Sequence, residues 1–166
     1  MVIEVAERRH AARFVAVAAA VALLVFVADA LTKTAVVRGL ALGEVREIVP
    51  GWLVFTYVRN TGTAYGLLAD QGWLVLPLSL LAALVVPLVL WRAGFWRARP
   101  ALGGLSAGLI IGGAFGNLLE RLQHGAVTDF LQVPHIPLFQ VFNVADASIC
   151  VGAALVLLLG LIEGKE

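Results

Sequence analysis

Residues 101–121 read ALGGLSAGLIIGGAFGNLLER, an uncharged apolar run that ends in an amide, an acid and a base. About 20 apolar residues carry a helix across the hydrocarbon core of a bilayer, so Ala101 to Leu119 is long enough to span one. Gly104, Gly108, Gly112 and Gly116 recur at every fourth position and line one face of that helix. Small residues at this spacing let a second backbone approach closely in lipid. The expectation is a tightly packed helix whose terminal polar groups, Asn117, Glu120 and Arg121, are held in fixed positions.

Working outward, three further segments have the same character: Ala11 to Leu31, Trp73 to Trp91 and Val144 to Ile162. The chain is 61% hydrophobic and 14% charged, against roughly 25% charged in soluble domains. The four segments use about half of the chain and leave no room for a separate soluble unit. Residues 1–166 are therefore expected to form a single integral membrane domain. The expected fold class is an all-α membrane protein, a four-transmembrane-helix bundle with a small extracytoplasmic β-sheet cradle. Its outer loops would cover 32–72 and 120–143. Arg8, Arg9 and Arg13 resemble the basic start of a removable signal peptide, and Ala28-Asp29-Ala30 a cleavage site. The apolar run is too long for that and carries an acid near its end, so the segment is expected to stay as a helix.

A net charge of +1 offers no general attraction to nucleic acid, and Cys150, the sole cysteine, has no intramolecular partner. Arg8, Arg9 and Arg13 precede the first segment, and Arg92, Arg97 and Arg99 crowd the link between the second and third. By the positive-inside rule both termini are cytoplasmic and the two long loops face outward. In the first loop, Trp52 to Arg59 follows a Pro50-Gly51 turn signal and is rich in β-branched and aromatic residues, which favours a strand.

Ionisable groups bordering apolar spans are costly and point to function. Here they gather at one depth: Asp29 and Lys33, Asn60 and Gly62, Asn117, Glu120 and Arg121, Asp129, Asn143 and Asp146. The inner halves of the helices lack acids and amides. Each group has a plain structural reading. Asp29 and Lys33 suit an intrahelical ion pair, Asn60-Thr-Gly62 a turn, Asn143 and Asp146 an N-cap with its capping-box acid, and Asp129 a turn. Asn117 and Arg121 could anchor the helix or orient a substrate. Asp129 and Asp146 together admit another reading. Two carboxylates held close share a proton, which is what general acid–base hydrolysis needs. Perturbed acids also occur in structural networks, so both readings stand at this point.

Other chemistries have less behind them. His124 and His135 lack ligand spacing, so no metal is expected. Cys150 has no base to activate it, and Ser79, Ser106 and Ser148 read as packing or back-bonding residues.

The polar blocks resemble the bacterial lipoprotein signal peptidases (signal peptidase II). Asp29-x-x-Thr32-Lys33, Asn60-x-Gly62-x-Ala64-Tyr65-Gly66, Gly112-Gly113-x-x-Gly116-Asn117-x-x-Glu120-Arg121, Val127-x-Asp129-Phe130 and Phe142-Asn143-x-Ala145-Asp146 occur in the family's order. Departures are Glu120, where the family usually has Asp, and Tyr65, where Phe or Trp is commoner. The resemblance implies a cofactor-free aspartic endopeptidase at the outer face of the bacterial cytoplasmic (inner) membrane. It would act on prolipoproteins bearing a diacylglyceryl cysteine, in contact with membrane lipid, and cut before that cysteine. Asp129 and Asp146 carry over as the catalytic pair. Asn60, Gly62, Asn117, Arg121 and Asn143 carry over as site-lining residues, and Asp29 and Lys33 as a structural or substrate-facing pair. A small transporter is the rival class, but its polar path should continue across the membrane. A noncatalytic assembly subunit would tolerate loss of either aspartate.

Overall fold

The structure, a computed structural model, describes residues 2–62, 72–135 and 141–163. Helix α1 (Val2–Gly39) is followed by strands β1 (Val45–Val49) and β2 (Leu53–Asn60). Helix α2 (Gly72–Arg92), the single turn α3 (Phe95–Ala98) and helix α4 (Pro100–His124) come next, then β3 (Val127–Gln132), β4 (Val141–Phe142) and helix α5 (Val144–Glu163). Among the described residues three helices are long and apolar enough to cross a membrane: Glu4–Gly39, Pro100–His124 and Val144–Ile162. The molecule is thus mostly helical, with a small antiparallel sheet at one end of the helices.

Two helices outrun their expected ends. α1 continues from Leu31 to Gly39 and α4 from Leu119 to His124, so the connecting segments are shorter than 32–72 and 120–143. The extensions carry polar residues, and local bonds satisfy the two threonines of α1. Thr32 Oγ1 donates to the Ala28 carbonyl (2.7 Å) and Thr34 Oγ1 to that of Ala30 (2.7 Å). α4 stops at Gly125, whose φ of 69° is the left-handed conformation that glycine adopts without a Cβ clash.

The glycine ridge sets the helix packing. A Cβ on Gly104, Gly108 or Gly112 would come within 2.6 Å of the carbonyl oxygens of Phe14, Ala18 and Ala22 respectively. The backbones of α1 and α4 are therefore in contact for two turns. At Gly116 the same Cβ would lie 2.7 Å from Asp29 Oδ2, so the last glycine opens space for a carboxylate rather than a backbone. Gly113, on another face of α4, meets the Ala145 carbonyl at the start of α5. α4 is the central element, packed on α1, α2 and α5.

At the end away from the sheet, Phe14, Leu90, Phe95, Trp96, Ala107 and Leu159 form an apolar cluster. Trp91 stacks on Trp96 at 5.0 Å, and the Arg97 guanidinium covers Trp96 at 4.3 Å. At the other end the sheet runs β1-β2-β3-β4, antiparallel throughout. The expected strand at Trp52–Arg59 is β2, shifted by one residue. β3 pairs Asp129 with Val58 and Val127 with Asn60, and it rests on α1 and α4. Val127, Thr128, Asp129 and Phe130 are buried on both faces of the strand for that reason.

Candidate active site

Five elements, α1, β2, α4, β3 and α5, bring their polar residues together at the sheet end of α4. The deepest is α1. Lys33 is 6% exposed, and its ammonium meets Asp29 Oδ2 at 2.7 Å, Glu120 Oε2 at 3.1 Å and Asn117 Oδ1 at 2.8 Å. An ammonium has three hydrogens, and here it has three oxygens around it. The Glu120 contact is a charge contact without hydrogen-bond alignment, since Oε2 has no hydrogen-bond partner. Asp29 spends its other oxygen on the Ala145 backbone N–H (2.9 Å), tying α1 to the first turn of α5. The intrahelical pair read from spacing is present, within a larger cluster.

Asn117 passes this order onward. Its Oδ1 accepts from Lys33 and from Asn143 Nδ2 (3.1 Å), and its Nδ2 donates to Asp146 Oδ1 (2.7 Å). Asn143 is fully buried and caps α5: its Oδ1 accepts from Asp146 N (2.9 Å), while its own backbone N donates to Asp146 Oδ2 (3.2 Å). That is a reciprocal capping box, as the three-residue spacing suggests. Asn143 also reaches Asp129, donating from Nδ2 to Oδ1 at 2.7 Å. One asparagine thus holds both Asp129 and Asp146.

Asp129 lies within β3, where a turn residue was one expectation, and is 2% exposed. Its second oxygen accepts from Asn60 Nδ2 (2.8 Å). Burial pushes its carboxyl up to about 7, with the Asp146 charge adding to the rise. The bonds from Asn60 and Asn143 oppose it without cancelling it. Asn60 is fixed in turn by the Gly62 N–H on its Oδ1 (2.9 Å), an Asx turn. Arg121 donates from its terminal guanidinium nitrogen to the Gly62 carbonyl (3.1 Å), and its Nε is buried without a partner among the described residues.

The structure therefore gathers Asp29, Lys33, Asn60, Gly62, Asn117, Arg121, Asp129, Asn143 and Asp146 at one place. Ala64, Tyr65 and Gly66 lie outside the described residues. Thr128 was not anticipated. It is fully buried, and its backbone N–H (3.0 Å) and hydroxyl (2.6 Å) both donate to Glu120 Oε1. An acid at the end of a span followed by a threonine in a β-prone stretch was the available signal, but it does not fix a partner. Ser106 and Ser148 back-bond to Leu102 and Val144, as read. His135 packs edge-on against Trp52 at 5.1 Å, Cys150 is exposed, and the Ser79 side chain is outside the description.

Apolar spans and a buried carboxylate–amide network at one helix end define a membrane protein with an enclosed polar site. Residues 21–162 match the family described as Signal peptidase (SPase) II. The chain is 40% identical over 144 residues to the lipoprotein signal peptidase of Syntrophomonas wolfei, covering 87% of this chain and 92% of that protein. It is 35% identical over 148 residues to that of Bacillus subtilis, covering 88% and 94%. Among solved structures, a bacterial membrane enzyme superposes with a TM-score of 0.74 at 24% identity, over 91% of each chain. The chain belongs to the signal peptidase II family, and that membership makes it a membrane peptidase.

Proposed function

We propose that the chain is an aspartic endopeptidase that removes signal peptides from diacylglyceryl-modified prolipoproteins, cutting before the lipidated cysteine. The substrate follows the relatives, which are lipoprotein signal peptidases. The observation that carries the mechanism is Asn143, whose side chain and backbone hold Asp129 and Asp146 at once.

The charge inventory supports one shared proton. Four buried or half-buried acids, Asp29, Glu120, Asp129 and Asp146, face two bases, Lys33 and Arg121. Lys33 is taken up by Asp29 and Glu120. Among the described residues Arg121 is the one further base beside the other two acids, so a proton on one of them relieves the excess. Asp129 is the better holder: Asp146 sits in the first turn of α5, where the helix N-terminus favours negative charge. In the reaction, Asp146 takes a proton from water as the water oxygen bonds to the scissile carbonyl carbon. Asp129 gives its proton to the carbonyl oxygen. The tetrahedral intermediate then collapses: Asp129 takes back a hydroxyl proton as the C=O re-forms, the C–N bond breaks, and the amine leaves with the proton that Asp146 took from water.

In this reading the whole chain is a single membrane domain. α2 forms a fourth crossing beside α1, α4 and α5: its 21 residues extend about 31 Å. The arginines at Arg8 to Arg13 and Arg92 to Arg99 lie on the cytoplasmic side of the bacterial inner membrane, and the sheet and site on the other. A cleavage point between an apolar signal helix and a lipidated cysteine lies at the depth where water first becomes available. Asn60, Gly62 and Arg121 line the site, and Asp29, Lys33, Asn117 and Asn143 hold it in shape. No cofactor takes part. Purified protein should shorten a diacylglyceryl-modified prolipoprotein and leave the unmodified precursor intact on a gel. Equal cleavage of both would remove the lipid from the substrate definition, and cleavage of neither would remove the reading.

A further inference from the structure

Between α1 and α4, at the sheet end, lies a cavity of about 360 Å³ with neither Asp129 nor Asp146 on its walls. Asn60, Asn143 and all of α5 are likewise absent from its lining, so it is a separate space on another side of the network. Its lower wall is apolar, with Phe26 and Ala30 from α1 and Leu119 from α4. Asp29, Lys33 and Glu120 reach it as one ion cluster, in which a single ammonium serves two carboxylates. Arg38 and Arg59 stand at its rim.

Among the described residues the rim charges have no counterion. Arg38 is exposed and makes no hydrogen bond or ion pair among the described residues. Arg59 donates to the His124 carbonyl (2.9 Å), a neutral acceptor that leaves its charge uncompensated. The acids that line the cavity, Asp29 and Glu120, are committed to Lys33. Both flanking helices are long and apolar enough to span a membrane, and their polar ends mark the depth at which they leave hydrocarbon. The apolar wall therefore sits at acyl-chain depth and the arginines at headgroup depth. From Phe26 to Arg38 the helix rises about 18 Å, enough for a headgroup, a glycerol and part of a chain.

We propose that this groove binds an anionic phospholipid, its phosphate on Arg38 and Arg59 and one acyl chain along Phe26, Ala30 and Leu119. Guanidinium forks match phosphate oxygens in charge and geometry. A lipid seated there also shields the Lys33–Glu120 contact from water on the side away from the aspartates. The inference does not depend on the peptidase reading.

The test uses the purified full chain in detergent micelles doped with phosphatidylglycerol or phosphatidylcholine. Native mass spectrometry counts retained lipid, and thermal unfolding follows its effect. Wild type should retain phosphatidylglycerol and unfold at higher temperature with it than with phosphatidylcholine. Arg38→Gln/Arg59→Gln should weaken that binding roughly 25-fold, about fivefold per basic side chain near a membrane surface. Ala30→Trp, which fills the apolar wall and leaves both charges, should weaken it as well, and it carries the test if the double variant fails to fold. Equal retention of the two lipids, or unchanged phosphatidylglycerol binding in these variants, overturns the proposal. Stabilisation by inorganic phosphate alone to the same extent overturns it too, because the site would then be for a free anion.

Discussion

Replacing Asp129 by asparagine should change how stability depends on pH, and the sign can be worked out from the structure. The Asp129 carboxyl is raised from 3.8 to about 7, chiefly by burial. Its neutral form is therefore favoured in the folded state. That contribution is fully present below the unfolded value near 4 and is lost as pH rises through about 7. The shift corresponds to roughly 4 kcal/mol, or on the order of 10 °C in Tm for a chain of this size. Asparagine does not titrate, so the variant escapes this loss. A constant offset runs the other way. Both Asp129 oxygens accept from amide N–H groups, of Asn60 and Asn143, so the new NH2 must face a donor. One such unsatisfied pair costs about 1–3 kcal/mol at every pH. Thermal unfolding of the two proteins in the same detergent, from pH 4.5 to 8, gives the comparison. The variant should start below wild type at pH 4.5 and gain on it by on the order of 10 °C by pH 8. Parallel curves would refute the argument that Asp129 is held as the neutral acid.

Three further outcomes follow from other parts of the molecule. Gly108→Ala places a Cβ 2.6 Å from the Ala18 carbonyl and 2.7 Å from the Val21 Cβ, so α1 and α4 must separate. A destabilisation of about 1–3 kcal/mol is expected in a thermal melt, whereas Gly160→Ala, with open space at that position, should be neutral. Glu120→Asp should keep activity, while Glu120→Ala, which strands Thr128 and half of the Lys33 pairing, should lower Tm at least as visibly as turnover. A stable but inactive Glu120→Ala protein would instead make this acid part of the chemistry. Reporter fusions at the end of α5 should be active only in the cytoplasm, and an externally active one would invert the proposed orientation.

The helices were legible because apolar length and glycine spacing are properties of the chain itself. Gly104, Gly108 and Gly112 announce a close backbone neighbour before the neighbour is known. β2 was legible from its Pro50-Gly51 turn and its β-branched run. β1 was not, because Val45 to Val49 is wholly exposed and carries Arg46 and Glu47, so it has no burial pattern to read. β3 hid because Asp129, in its middle, is a poor strand residue that the fold tolerates through two amide donors. β4, at two residues, is too short for any periodicity. Within the site, the candidates could be named from where polar groups interrupt apolar runs, whereas their partners could not. That Lys33 reaches Glu120 and Asn117, or that Asn143 holds both aspartates, depends on how α1, α4 and α5 cross. Sequence separation of 84 residues between Lys33 and Asn117 carries no local signal.

The central claim is that Asp129 and Asp146 act as one proton-sharing unit, and the direct measurement is turnover by their asparagine variants. Asparagine can hydrogen-bond but neither accepts nor delivers the proton. Cleavage of a diacylglyceryl-modified prolipoprotein would be followed for Asp129→Asn, Asp146→Asn and the double variant, each shown to be folded, with and without chelator. Each single change should lower kcat by at least ~100-fold, the double variant should be scarcely worse than either, and the chelator should have no effect. Near-normal turnover by either single variant, or loss of wild-type activity on chelation, would contradict the account.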